Sequence, residues 1–224
     1  MGKEIDLLIN YPKVKRDLTQ RLESKTEEVR SVARKFDKEF FDGERKYGYG
    51  GFSYNPRYWS EVVKDFRDYY NLNDDSKILD VGCAKGFMLN DFYKLNPNLD
   101  LYGIDISKYA IDNSVPEIKH KLKVANATNL PYEDNYFDLV ISINTVHNLD
   151  KTECTTALRE ISRVTKKNAF ITVDAFNNEE EEKRMYAWNL TAKTIMSVDE
   201  WINFFDQSNY DCLLYTSDAA DDSL

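Results

Sequence analysis

Residues 77–87 read KILDVGCAKGF, and no other stretch limits the possible folds so sharply. Ile78, Leu79 and Val81 form a short apolar run suited to a buried strand, while Asp80 interrupts it with an acid that packing alone has no use for. Gly82 and Gly86 follow at once, placed to turn the chain and let a helix start close by. A strand that ends in an acid and leads through glycines into a helix implies a polar ligand at the carboxyl end of a parallel sheet, where such folds have their crevice.

The rest of the chain repeats that alternation. Strand signals fall at 99–106 (LDLYGIDI), 121–127 (KLKVANA), 137–145 (FDLVISINT) and 169–176 (AFITVDAF), with helical stretches at 86–95, 107–113 and 151–166 between them. Asp150 and Glu153 make a capping-box pattern ahead of Ala157, Leu158, Ile161 and Val164. The expected fold is α/β, a doubly wound and mostly parallel sheet. Upstream, Val14, Leu18, Leu22, Val29, Val32, Phe36 and Phe40 recur at helical spacing and predict one amphipathic helix over 13–41, with a second over 59–70. Between them DGERKYGYGGFSYNP, residues 42–56, is a glycine- and tyrosine-rich loop. The expected division is a helical extension with a lid over 1–71 and an α/β domain over 72–211.

Bulk properties narrow the function classes. A chain of 224 residues, 42% hydrophobic, supports one full core. No apolar run reaches the length of a membrane span, and residues 1–30 lack the order of a signal peptide, so a cytoplasmic protein is expected. Cys83, Cys154 and Cys212 are too few and scattered for a disulfide framework or a zinc site, and no metal is expected. The formal charge of -9 disfavours a nucleic-acid duplex and leaves a small molecule as the expected partner. Residues 212–221, CLLYTSDAAD, resemble the translation of a sequencing adapter. The segment 212–224 is therefore expected to be non-native, with the natural chain continuing differently after about Asp211 and its last strand truncated. It carries Asp218, Asp221 and Asp222 and no Lys or Arg, so the remainder is less acidic than the total.

The next strand ends in Asp105, the position of an acid that binds a ribose hydroxyl pair. Together with Asn126-Ala127, Leu130-Pro131 and Phe137-Asp138-Leu139-Val140, this set resembles the class I S-adenosylmethionine-dependent methyltransferases over residues 77–176. The resemblance implies S-adenosylmethionine as cofactor. It places Asp80 and Gly82 beside the methionine part, Asp105 at the ribose and the turn at Asn126 and Ala127 at the adenine, with Cys83, Ala84, Gly86, Ile106 and Asn144 as further cofactor-binding residues. Asn126 stands where the family often has an acid, and its carbonyl oxygen can still accept from an adenine amino group. Ala84 replaces the middle glycine of the family loop; with ordinary dihedrals it is expected to be tolerated, at some cost in affinity. A nicotinamide dehydrogenase fits poorly, since its fingerprint needs glycine at 82, 84 and 87, where this chain has Gly, Ala and Phe.

Methyl transfer needs a nucleophile held in line, and a base is optional. His147, in the loop after the fourth strand, is the candidate base, and Asp174 at the end of the fifth is a candidate to orient substrate. A packed histidine and a turn acid are the alternative readings of the two. No proline motif follows Asn144, which argues against nucleic-acid adenine methylation. Tyr47, Tyr49, Gly50 and Phe52 suit a lid, and Trp188 its opposite wall; a packed linker and a core tryptophan are the alternatives. The expected function is methyl transfer to oxygen or nitrogen of a small molecule, such as a sugar or secondary metabolite. The alternative is a cofactor-binding module without turnover.

Overall fold

The computed structural model describes residues 4–12, 25–50, 52–208 and the backbone of 213–218. From residue 77 onward strand and helix alternate: β1 Lys77–Val81, α4 Phe87–Leu95, β2 Asp100–Asp105, α5 Lys108–Asp112, β3 Leu122–Val124, β4 Phe137–Ile143, α6 Lys151–Val164, β5 Thr165–Phe176, α7 Glu179–Trp188, β6 Met196–Ser197, α8 Val198–Gln207 and β7 Leu213–Asp218. Before them come α1 Glu27–Ala33, α2 Lys38–Asp42 and α3 Val62–Tyr70. The strands pair in parallel in the order β3-β2-β1-β4-β5-β6, with β7 also on β5. The predicted doubly wound sheet is therefore present, and its order reverses between β1 and β4.

Side-chain alternation divides the core. Leu79 and Val81 of β1 and Val140 of β4 pack on one face with Leu158, Ile161 and Trp201. Ile78, Leu139 and Ile141 point the other way, onto Phe66, Leu89 and Phe92 from α3 and α4. Complete burial of such a side chain contributes about 1.5–3 kcal/mol each, so the two layers fix the strand register. The predicted capping box starts α6, where Asp150 accepts the Glu153 N–H and Glu153 reaches back to the Asp150 N–H. A second box, Ser197 with Glu200, starts α8 and went unread in the sequence, as did β6.

The helix predicted over 13–41 needs correction. Residues 13–24 lie outside the described part, and beyond them the chain forms two short helices rather than one. Phe36 at φ 49° leaves the helical region, and Asp37 accepts the Lys38 N–H to begin α2 afresh. The strand predicted over 121–127 is also shorter, and Asn126-Ala127 lie in the turn beyond it.

β7 falls within the segment that resembles an adapter translation. Its backbone runs along Phe170–Ala175 of β5, an edge of which β6 covers only Ala175 and Phe176. A long strand with open main-chain groups accepts a neighbour through those groups, whatever its side chains.

Candidate active site

The crevice opens where the order reverses, between the ends of β1 and β4. Gly82 at φ 86° turns the chain out of β1, and the N–H groups of Gly82 and Cys83 both donate to the Ile104 carbonyl, at 2.8 and 2.9 Å. Gly86 at φ 77° opens α4. The Asp105 carboxylate grips this turn: one oxygen accepts the Ala84 N–H at 2.8 Å and the other the Ser107 N–H at 2.8 Å. Asp80 and Asp105 are both buried. Burial, and then the neighbouring Asp105, push the Asp80 carboxyl up to about 7; burial likewise raises Asp105, against the pull of its two N–H donors. Among the described residues no cation offsets either shift, so burial disfavours the charged form of both acids.

Two adjoining cavities, of about 250 and 350 Å³, share Gly82, Ala84, Asn144 and Asn148. The larger is lined by Asp105, Ile106, Asn126 and Ala127. Asp80, Cys83, His147, Asp174, Tyr49 and Trp188 line the smaller. Most of the predicted site residues thus line one or other of two cavities that share walls. Gly86 shapes the turn without lining them, and Tyr47 and Phe52 line neither cavity. Tyr47 packs instead against Val29, Ala33 and Leu190, and Phe52 offers its carbonyl to Lys85 Nζ at 2.9 Å. Tyr49 is an anchored wall: its hydroxyl accepts the Leu190 N–H at 2.9 Å, its ring lies 5.0 Å from that of Trp188, and burial raises its pKa to about 12.

Three details modify the sequence reading. Ala84 sits at φ 49°, not in an ordinary conformation, so a residue with a Cβ occupies a left-handed turn position. Ala84→Gly is therefore expected to stabilise the fold by about 1 kcal/mol, raising the unfolding midpoint by roughly 2–4 °C; a lowered midpoint in thermal unfolding would contradict the strain. Asn126 already accepts the Thr128 N–H at 3.0 Å through its carbonyl oxygen, which leaves one lone pair for a ligand. His147 accepts the Asp174 N–H on Nδ1 at 3.1 Å, so the ring proton belongs on Nε2, 3.9 Å from Asp174 Oδ2. Burial lowers the His147 pKa, opposed by Asp174, and the ring is a neutral donor.

The sequence reading missed Lys85 and the roof. Buried Lys85 pairs with Asp42 at 2.5 Å, and Asp42 also accepts from the Tyr109 hydroxyl at 2.8 Å, tying α2 to the glycine turn and α5. Burial pulls the Asp42 pKa up, but the Lys85 and Tyr109 hydrogen bonds and the Lys85 charge leave it below the ordinary value. Phe40 and Phe41, on that helix, line both cavities.

A doubly wound sheet with buried acids ending β1 and β2, and a cavity on each side of the switch point, is the architecture of a class I S-adenosylmethionine-dependent methyltransferase. Residues 72–214 match the family model for a methyltransferase domain, and the chain belongs to that family. It is 33% identical over 135 residues to a tRNA (carboxymethyluridine(34)-5-O)-methyltransferase of Arabidopsis thaliana, covering 59% of this chain and 31% of that protein. It is 36% identical over 98 residues to phosphoethanolamine N-methyltransferase 3 of the same plant, covering 41% and 20%. The chain thus spans less than a third of the length of these relatives. The YcgJ protein of Bacillus subtilis has a similar fold, with a TM-score of 0.54 at 17% identity over 65% of this chain and 66% of that one.

Family members use S-adenosylmethionine, and the residues present suit it: among the described residues no cation offsets the buried acids, and the turn that faces the cavity is built on glycines whose Cβ positions are taken by Thr145 and by Ile118 with Leu122. Among the described residues no helix is long and apolar enough to cross a membrane.

Proposed function

We propose that the protein transfers a methyl group from S-adenosylmethionine to oxygen or nitrogen of a small molecule held in the smaller cavity. The observation that carries this reading is the junction at Gly82 and Asn144, where the cavity bearing Asp105 meets the one bearing His147 and Asp174. Asp105 and Asn126 would hold the nucleoside part, and Asp80 would stand beside the methionine part. When bound, the donor supplies an electrophilic methyl carbon on a positively charged sulfur.

The chain's own residues do the rest. Tyr49 and Trp188 exclude water, which strengthens every electrostatic contact within. His147 Nε2–H is placed to orient the acceptor group, and the Asp174 carboxylate to take its proton. The relatives' names cover both atoms, an oxygen in one case and a nitrogen in the other.

Calorimetric titration with S-adenosylhomocysteine is expected to give one site. In the His147→Ala variant that binding should persist while label transfer from methyl-labelled donor falls by about 100-fold. No uptake of S-adenosylhomocysteine would overturn the reading. Uptake without transfer to any hydroxyl or amine would favour a binding module instead.

A further inference from the structure

Resting on that reading of the site, we infer that the smaller cavity is built for a hydroxyl acceptor, and that the side-chain N–H groups of Asn144 sort oxygen from nitrogen there. The first ground is the direction of one amide. Asn144 sits just past β4 at φ 49°, where its main-chain N–H donates to the Thr172 hydroxyl at 2.9 Å and its Oδ1 accepts from the same hydroxyl at 2.8 Å. Thr172 is fully buried, so its hydroxyl proton needs an acceptor within the protein, and Asn144 Oδ1 is that acceptor. The amide cannot turn over without leaving the proton unpaired. Its carbonyl end is thus committed to β5, and Nδ2 keeps both of its N–H groups. That nitrogen has no hydrogen-bond partner among the described residues and is not sealed off, in a residue that lines both cavities.

The second ground is the company Asn144 keeps. His147, three residues on, takes the Asp174 N–H on Nδ1 and so carries its proton on Nε2; Asp174 Oδ2, at 3.9 Å, is beyond hydrogen-bond reach of it. Asn148 adds no open acceptor, since its Nδ2 donates to the Asn144 carbonyl at 3.1 Å and its Oδ1 is sealed from solvent. Asn144 and His147 line the smaller cavity together, and each brings an N–H to it.

Two N–H donors separate oxygen from nitrogen by the count of lone pairs. A hydroxyl oxygen has two, so one accepts an N–H while the other attacks the methyl carbon. A neutral amine has one, and a donor that engages it removes the nucleophile. An ammonium has none and meets N–H with N–H. Carboxylates such as Asp80 and Asp174 accept an O–H as well as an N–H, so the distinction rests on the donors. Phe40, Tyr49, Trp59 and Trp188 line the same space, which suits a flat apolar body carrying the hydroxyl.

The transfer balances as follows. The free lone pair of the oxygen forms the C–O bond to the methyl carbon as the C–S bond breaks. The electron pair of that bond stays on sulfur as a neutral thioether, and the hydroxyl proton ends in solvent.

Phenol and aniline test this, because they share a shape and are both uncharged near neutral pH. Each is titrated by ligand-observed NMR with and without saturating S-adenosylhomocysteine. Phenol is expected to bind about tenfold tighter than aniline. Asn144→Asp keeps an oxygen for the Thr172 hydroxyl and puts a second oxygen in place of the N–H groups, so it should erase or reverse the preference. Thr172→Val leaves Asn144 in place but frees its amide to turn over, and should cut the preference several-fold, which a merely structural Asn144 would not show. No binding of phenol, equal or tighter binding of aniline, or a phenol preference that survives Asn144→Asp overturns the inference. If a variant does not fold, the comparison of the two probes on the natural site still decides. Failure of S-adenosylhomocysteine to bind would sink the methyltransferase reading separately, because the probes are also titrated without it.

Discussion

Asp105→Ala is expected to abolish measurable S-adenosylhomocysteine binding, at least a 100-fold loss by calorimetry, and to lower the unfolding midpoint by roughly 10 °C. Both effects follow from the same two hydrogen bonds. The carboxylate receives the Ala84 and Ser107 N–H groups at 2.8 Å each, and its removal leaves two donors in a buried turn without partners, at about 1–3 kcal/mol apiece. The turn they hold is the one that lines both cavities. Asp105→Asn separates the roles: its single carbonyl oxygen can serve one of the two N–H groups while its amide nitrogen opposes the other, so an intermediate loss is expected. Unchanged affinity in the alanine variant would remove Asp105 from the binding surface and leave it a purely structural acid.

Gly82→Ala is expected to be nearly as damaging, although it adds one methyl group. The new Cβ would run into the Thr145 side chain, which is itself held by its hydroxyl donating to the Ile143 carbonyl at 3.0 Å. The backbone at φ 86° adds about 1–2 kcal/mol for any L residue, and the overlap about 1–3 kcal/mol more. Loss of donor binding and a midpoint lower by several degrees are the expected readouts. Thr145→Ala in the same chain removes the worst overlaps and keeps the backbone strain, so it should recover part of the stability. Full recovery would show that the dihedral costs nothing. The contrast with Ala84→Gly is instructive: in one five-residue turn, adding a methyl at one position and deleting it at another act in opposite directions.

The pieces of the site that depend on near neighbours were legible in the sequence. Asp80, Gly82, Gly86 and Asp105 follow from where strands end and helices begin, because those boundaries are written within a few residues. Asn144 and Asp174 were reached in the same way, as the positions just past or at the ends of β4 and β5. The conformation of Ala84 was not legible, since an alanine gives no sign that its N–H will be captured by a carboxylate 21 residues away. Lys85 and Asp42 lie 43 residues apart, and only the folding of the extension onto the sheet brings them together. The phenylalanine roof escaped for that reason too: Phe36 and Phe40 fit a helical stripe, and nothing in the stripe says that the helix breaks between them. The tautomer of His147 needed the distance to a backbone N–H, which no pattern of residue types supplies.

The short helix Lys38–Asp42 has no buried residue of its own, yet it carries two of the phenylalanines over the cavities and is fastened through Asp42. It is held in two ways, by the Lys85–Asp42 pair at its end and by Phe40, which packs with Val29, Ala33 and Leu190 and meets the rings of Phe36, Phe41 and Tyr49 edge to face. The covering of both cavities is thus a joint property of one ion pair and one aromatic cluster, neither of which belongs to the sheet.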